Sequence, residues 1–230
     1  MVGRRETVAS VLAAVSVVWF AGSLPGAAQP TSRPPIDQLV RDLQAKYDSV
    51  RDFAADFEHS YAGGLLSLAV IEHGTVEIKK PGKMRWRYAT SEEKLYISDG
   101  DTFYSYFPLD RQVIVTAVPP DDRASTAALF LAGKGNLSQD FSAAYDESDF
   151  PANMWVIRLT PQGGDVDYEW LTVTVDRRSL SITGLSTADY QGGESTYRFS
   201  NLEENQGLSD SLFTFTIPDN TDVITEEAFR

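Results

Sequence analysis

Apolar residues recur every third or fourth position at the start of the folded part of the chain: Ile36, Leu39, Val40, Leu43, Tyr47 and Val50. That spacing predicts one amphipathic helix over residues 36–51 with a single apolar stripe. At Phe53 the period drops to two. Phe53, Ala55 and Phe57 alternate with Ala54 and Asp56, and a strand is expected to begin there. Strand signals then dominate. Residues 65–80 read as one long strand or a bent pair, stopped by Pro81-Gly82, and Met84, Trp86 and Tyr88 alternate with Lys83, Arg85 and Arg87 on the next. Residues 94–98 and 102–107 flank Asp99-Gly100, the strongest hairpin signal in the chain. Further strands are expected over residues 112–118, 154–160, 168–176, 180–190, 195–202 and 212–217.

One segment breaks this succession. Residues 125–132, Ser-Thr-Ala-Ala-Leu-Phe-Leu-Ala, are rich in helix formers and lie between Pro119-Pro120 and Gly133-Lys134-Gly135, so they predict a short, mostly apolar helix. A second short helix is expected over residues 138–145. The fold class is therefore mainly β, of the α+β kind: an unclosed antiparallel β-barrel of ten to eleven strands, with an N-terminal helix and a helical lid over one mouth or the concave face. Met84, Trp86 and Tyr88 share one strand face, and Tyr104 shares a face of the next hairpin with Tyr106. Such residues either fill an ordinary sandwich core or, in a partly open barrel, line a cavity too wide to fill. Leu129, Phe130 and Leu131 cannot all face one packed surface, because consecutive helical residues stand about 100° apart. At least one of them is expected to meet a ligand.

Residues before the helix have another character. Arg4 and Arg5, an apolar run over residues 8–20 and a small-residue stretch over 21–28 have the order of a secretory signal peptide, and the run is short for a membrane span. Residues 1–28 are expected to be removed on export to the periplasm, 29–35 to be a Pro-rich linker and 36–230 to be a single domain. No cysteine is present, so the mature chain has no disulfide and cannot itself be acylated on an N-terminal cysteine. The formal net charge is −13; residues 1–28 hold two Arg and one Glu, so the processed chain would stand at about −14. Nucleic acid and anionic lipid surfaces repel such a chain, whereas a neutral apolar ligand is unaffected.

The chain offers little enzyme chemistry. His59 and His73 are its two histidines; both fall in predicted strands and read as structural, with no metal-binding spacing around either. Residues 184–188 only approximate a nucleophile elbow and fall inside a strand. Gly133-Lys134-Gly135 lacks the remainder of a phosphate loop and reads as a helix stop. Adjacent acids such as Asp121-Asp122 and Glu203-Glu204 read as solvated turn residues. No enzyme activity, cofactor or metal is expected.

The string from Gly74 to Tyr88, Gly-Thr-Val-Glu-Ile-Lys-Lys-Pro-Gly-Lys-Met-Arg-Trp-Arg-Tyr, followed by Ser98-Asp99-Gly100, resembles the outer-membrane lipoprotein carrier family, LolA. Residues 43–57 and the segment Phe213-Thr214-Phe215-Thr216-Ile217-Pro218 are similar to it as well. The resemblance runs from about residue 36 to 223. It implies an unclosed barrel whose apolar cavity takes the acyl chains of lipoproteins. It further implies release of that cargo from an inner-membrane ABC transporter (LolCDE), delivery to an outer-membrane acceptor (LolB) and action as a monomer. By position, the cavity would be lined by Leu43, Tyr47, Val50, Met84, Trp86, Tyr88, Tyr104, Leu129, Phe130 and Leu131. The family has an arginine before the proline equivalent to Pro81 that hydrogen-bonds to the closed lid; Lys80 stands there instead, without the planar multi-donor fork. The same fold also permits a lipid-binding envelope sensor, and exposed rings beside acids would suit a glycan-binding protein.

N-terminal sequencing of the periplasmic fraction of cells expressing the whole chain should begin near Gln29. A full-length, membrane-bound product would overturn the export reading.

Overall fold

The apolar stripe forms helix α1, Ile36–Ser49, in a computed structural model that describes residues 33–63, 70–90, 92–118, 127–147, 151–163 and 168–225. Residues 1–32, 64–69, Pro119-Pro120 and Ser125 lie outside the described residues, so the signal, most of the linker and the start of the expected 65–80 strand fall outside them too. Leu39, Val40, Leu43 and Tyr47 are the buried residues of α1, and Val50 just beyond it is also buried. Asp37 in the first turn and Lys46 in the last have the signs that the helix dipole favours. On the solvent side, Gln38 donates to Asp42 (2.8 Å) and Gln44 to Asp48 (2.7 Å), each one helical turn on.

The strands follow as β1 (Asp52–Ala62), β2 (Val70–Lys79), β3 (Lys83–Tyr88), β4 (Lys94–Asp99), β5 (Thr102–Phe107) and β6 (Gln112–Ala117). Helices α2 (Ala127–Leu131) and α3 (Leu137–Asp140) intervene before β7 (Phe141–Tyr145), β8 (Met154–Pro161), β9 (Trp170–Asp176), β10 (Ile182–Ala188) and β11 (Glu194–Glu204). A 3-10 turn, Asp210–Phe213, and β12 (Asp222–Thr225) complete the order. The described strands make one twelve-stranded sheet, ordered β12-β6-β5-β4-β3-β2-β1-β11-β10-β9-β8-β7. Neighbouring strands pair antiparallel except for β12, which runs parallel to β6. The end strands β12 and β7 are not paired with each other, and the barrel is unclosed.

Period-two alternation sets the inner face. Cross-strand registers stack Phe53, Ile78 and Met84 in one row, Ala55, Val76 and Trp86 in the next, and Phe57, Gly74 and Tyr88 in the third. These residues join Trp155, Ile157 and Leu159 of β8 and Leu171, Val173 and Val175 of β9 in one core, so the two halves of the sheet share a single interior. Gly74 is required by its row. A Cβ there would lie 2.0 Å from the Arg87 carbonyl oxygen and 2.7 Å from the Phe57 ring. At the Asp99-Gly100 hairpin, the Asp99 carboxylate accepts from the backbone N–H groups of Asp101 (2.9 Å) and Thr102 (2.8 Å), and Gly100 takes φ +109°.

Three expectations need correction. Residues 212–217 are not a strand: the 3-10 turn ends at Phe213, and an extended, unpaired stretch crosses the outer face. Their alternation is real, because Phe213 is buried (1% exposed) and Phe215 inserts between Tyr104 and Tyr106, but no ladder forms. Residues 138–145 are helical only as far as Asp140. Asn136 caps the short helix by accepting from the N–H groups of Ser138 and Gln139, after which Phe141 turns extended to pair with Pro161. The strand number is twelve rather than ten to eleven, the additions being the edge strands β7 and β12.

The route to β12 depends on Asp52, a buried carboxylate 4% exposed. Both its oxygens accept from Gly207 N–H (3.1 Å each), and its carbonyl accepts from Asn205 N–H (2.8 Å). Further along, Lys79 and Lys83 reach Asp210 at 2.6 and 3.2 Å, holding the 3-10 turn against the outer face. Asp52→Ala removes the acceptor of the Gly207 N–H and should lower the free energy of unfolding in urea by about 0.5–1.5 kcal/mol. Asp52→Asn, which keeps an acceptor oxygen, should lose less. Unchanged midpoints for both would mean that the crossing segment does not depend on this carboxylate.

Candidate functional site

Two of the spaces among the described residues lie on the concave face. A cavity of about 540 Å³ lies toward the end of the sheet where β1 meets β2, and a void of about 30 Å³ lies beneath α1. The second has room for about one or two waters; the first is in the size range of small-ligand pockets. Trp86, Tyr88, Tyr96, Phe103 and Tyr197 give the large cavity an aromatic wall, with Leu131, Leu185 and Ala128 beside them. The rings brace one another. Phe57 stands edge-on to both Trp86 (5.1 Å) and Tyr88 (4.8 Å), Trp86 edge-on to Tyr197 (5.2 Å), and Tyr96 stacks on Phe103 (6.2 Å).

The expected site residues divide among these places. Trp86, Tyr88 and Leu131 line the large cavity, while Leu43, Tyr47, Val50 and Lys80, with Leu131 again, line the small void. Leu131 thus stands between the two spaces. Met84 and Phe130 are fully buried, 1% and 0% exposed, and line neither. Tyr104 is apart from the rest. Its neighbours in register put it on the outer face, where its ring meets Phe215 at 5.4 Å. The side chain of Leu129 lies outside the described residues.

Lid position follows from contacts outside the lid. A five-residue helix cannot hold itself together, since it barely exceeds the nucleus that helix formation requires. The Tyr47 hydroxyl donates to the Phe130 carbonyl, and the two rings stack at 5.3 Å. Gly82 N–H donates to the Ala132 carbonyl at 2.9 Å, and Phe130 meets Phe141 edge-on at 6.4 Å. Lys80 does not take a lid carbonyl. Its ammonium donates to the Tyr47 carbonyl at 2.5 Å in the last turn of α1 and lies 3.1 Å over the Tyr47 ring. The alkyl part of Lys80 runs under Gly133, where an added Cβ would stand 3.0 Å from it. Burial pushes the Lys80 ammonium down to about 8, against the opposing pull of Asp48 and Glu204. Burial likewise pushes the Tyr47 hydroxyl up, which keeps it a donor.

Beyond its aromatic wall the large cavity has a polar end that sequence reasoning missed. Glu72 accepts from Lys94 at 2.8 Å and lies 3.8 Å from His59 Nδ1. His59 Nε2 lies 2.7 Å from Ser195 Oγ, its Nδ1 3.2 Å from Tyr88 OH, and its ring stacks on Tyr197 at 4.2 Å. Burial lowers the His59 imidazole, and Glu72 opposes that less strongly. Burial raises the hydroxyls of Tyr88 and Tyr197, and the hydrogen bond to Glu72 raises Lys94. A usable signal was present. Counting by two from Phe57 reaches His59 and Tyr61; counting back from Val76 reaches Gly74, Glu72 and Val70. Strand parity alone brings these residues to the cavity.

Among the described residues no cluster of three or more His, Cys, Asp or Glu could hold a metal ion. The arrangement can enclose an apolar group and hydrogen-bond to a polar one.

Comparison with known proteins agrees with this architecture. Residues 48–216 match the family model of the outer membrane lipoprotein carrier protein LolA. The outer-membrane lipoprotein carrier protein of Chromohalobacter salexigens is 31% identical over 186 residues, 80% of this chain and 85% of that protein. That of Nitrosospira multiformis is 26% identical over 187 residues, 81% of this chain and 88% of its own. A crystal structure of an uncharacterized conserved protein from Thermus thermophilus shares the fold at a TM-score of 0.51 and 10% identity, covering 83% of this chain and 99% of that one. With the family model spanning well over half its length, this chain belongs to the outer membrane lipoprotein carrier protein (LolA) family.

Proposed function

We propose that this protein is a periplasmic carrier that takes the acyl chains of lipoproteins into the large cavity and shuttles them from the inner to the outer membrane. The observation that carries this reading is an aromatic-walled cavity of about 540 Å³ beneath an apolar helix. An acyl chain in water costs roughly 0.8 kcal/mol per methylene, so unshielded cargo would aggregate or enter the nearest bilayer. Rings and leucines around the cavity offset that cost, and the names of the similar proteins support lipoprotein as cargo. An inner-membrane ABC transporter of the LolCDE kind supplies the cargo and an outer-membrane acceptor of the LolB kind receives it. The carrier makes and breaks no bond.

In this reading α2 is the lid. Displacing it removes Leu131 from between the two spaces and joins them beneath α1. Lys80 works through Tyr47: it fixes the ring and carbonyl of the residue whose hydroxyl grips the lid.

Thr187 is half-buried in the wall of the large cavity, and Thr187→Trp fills part of it without removing a core side chain. Excluding two or more methylenes of cargo should weaken lipoprotein binding by about tenfold or more. The melting temperature should stay near that of wild type. Full-strength binding by Thr187→Trp would place the cargo elsewhere.

Lid closure should also depend on pH. The closed state holds the Lys80 ammonium near 8, whereas opening exposes it and returns it toward its ordinary, higher value. The open state therefore binds more protons between those two values, and closure gains as pH rises through that window. Amide exchange over residues 127–133, corrected for its intrinsic pH dependence, should slow relative to β3 from pH 7.5 to 9.5, and Lys80→Met should remove the trend. A trend that persists in Lys80→Met would assign it to another group.

A further inference from the structure

The polar end of the cavity bears on which acyl compounds it accepts. Its charges are one carboxylate and one ammonium, Glu72 and Lys94, already paired at 2.8 Å with side chains 16% and 24% exposed. His59 adds no second cation, because burial keeps its imidazole below its ordinary value and it stands among hydroxyl partners. Spare donors remain on the paired ammonium. Lys94 has three N–H groups, of which Glu72 takes one.

We infer that this polar end receives the ester or amide carbonyl of an acylated ligand and disfavours a free carboxylate, so that the cavity selects covalently linked acyl chains over free fatty acid. This rests on the carrier reading of the same cavity and names what the cavity rejects. A carbonyl oxygen accepts from Lys94 and leaves the Glu72–Lys94 pair intact. A fatty carboxylate must either draw Lys94 away from Glu72 or lie beside Glu72 with its charge uncompensated. Both cost more in a partly desolvated wall than in water. Thr90 Oγ1 approaches Glu72 only at 3.5 Å and cannot replace the ammonium.

The test compares 1-monopalmitoylglycerol, a neutral ester, with palmitate at pH 8, both below their aggregation concentrations, by calorimetry on the purified processed protein. The ester should bind about tenfold more tightly than palmitate. Glu72→Gln keeps the shape and frees Lys94, so palmitate should gain about tenfold relative to the ester. Lys94→Met removes the donor of the ester and the compensation of Glu72 together, so both ligands should bind more weakly than to wild type. Circular dichroism and melting confirm that each variant is folded, and the ligand ratio of Glu72→Gln decides the matter. Equal affinity of wild type for the two ligands, or the wild-type ratio in folded Glu72→Gln, overturns this inference and leaves the carrier reading standing. Failure of wild type to bind either ligand overturns both.

Discussion

An antiparallel sheet whose end strands never pair is the constraint on which the rest of the structure depends. Closing twelve strands would leave an interior that their own side chains could not fill; leaving them open moves the problem to one broad concave face. Helices α1 and α3 cover part of it, α1 packing against α3 and β7 toward one end of the sheet and reaching α2 through Tyr47. Among the described residues, the five of α2 cover the face beside β10. The cavity is the part of the concave face that α1 and α3 leave open, with Ala128 and Leu131 of α2 in its wall. The outer face obeys the same constraint. Parallel pairing of β12 with β6 requires the chain to leave β11, cross the outside of the sheet and return at its far edge. That crossing covers Tyr104 and Tyr106 with Phe215 and so gives the outside an apolar layer of its own.

Lid and cavity are linked through one tyrosine. Tyr47 belongs to α1 by periodicity, to the small void by position and to the lid by its hydroxyl. The lid has no internal stability to speak of, so its closed state is the sum of a few external contacts, and weakening any one shifts the equilibrium. An arginine at position 80 would stay charged at any accessible pH. A half-buried lysine can lose its proton there, and on the carrier reading proposed above this makes lid closure titratable.

Much of the fold was legible because it rests on local periodicity. The stripe of α1, the alternation of β1 and β3 and the Asp99-Gly100 turn are each encoded within a few residues and each took the expected form. The errors arose where local pattern and partner disagree. Phe213 and Phe215 alternate as a strand does, yet they alternate against a sheet face and have no ladder beside them. Residues 141–145 carry helix-tolerant alanines and become β7 because β8 offers them an edge. At the site, weighting apolar residues found Trp86, Tyr88 and Leu131 but admitted Tyr104, whose parity on β5 puts it outside. The same weighting overlooked His59, Glu72 and Lys94, which share the inward parity of their strands although they are polar. Parity specifies which face a residue occupies, and hydrophobicity indicates only what that face usually holds.

A cavity of this size in a protein without disulfides must resist collapse by packing alone, and the arrangement of the rings explains how it does. Phe57 lies across Gly74 and touches Trp86 and Tyr88 edge-on; Trp86 touches Tyr197, and Tyr197 stacks on His59. No ring in this series can move into the cavity without giving up contacts with its neighbours, each worth about 0.5–1.5 kcal/mol beyond burial. Hydrogen bonds between His59 and both Tyr88 and Ser195 tie the polar end of the series to β3 and β11. The polar cluster therefore acts on the unliganded protein as well. It stops the aromatic wall from folding inward at the end where the rings give way to charge. A purely apolar wall would close on itself, and one lined throughout by charges would hold water too firmly for an acyl chain to displace it. The inner face passes from packed core at the Phe53, Ile78 and Met84 row to paired charge at Glu72 and Lys94, and the space between those limits stays open for an amphiphile.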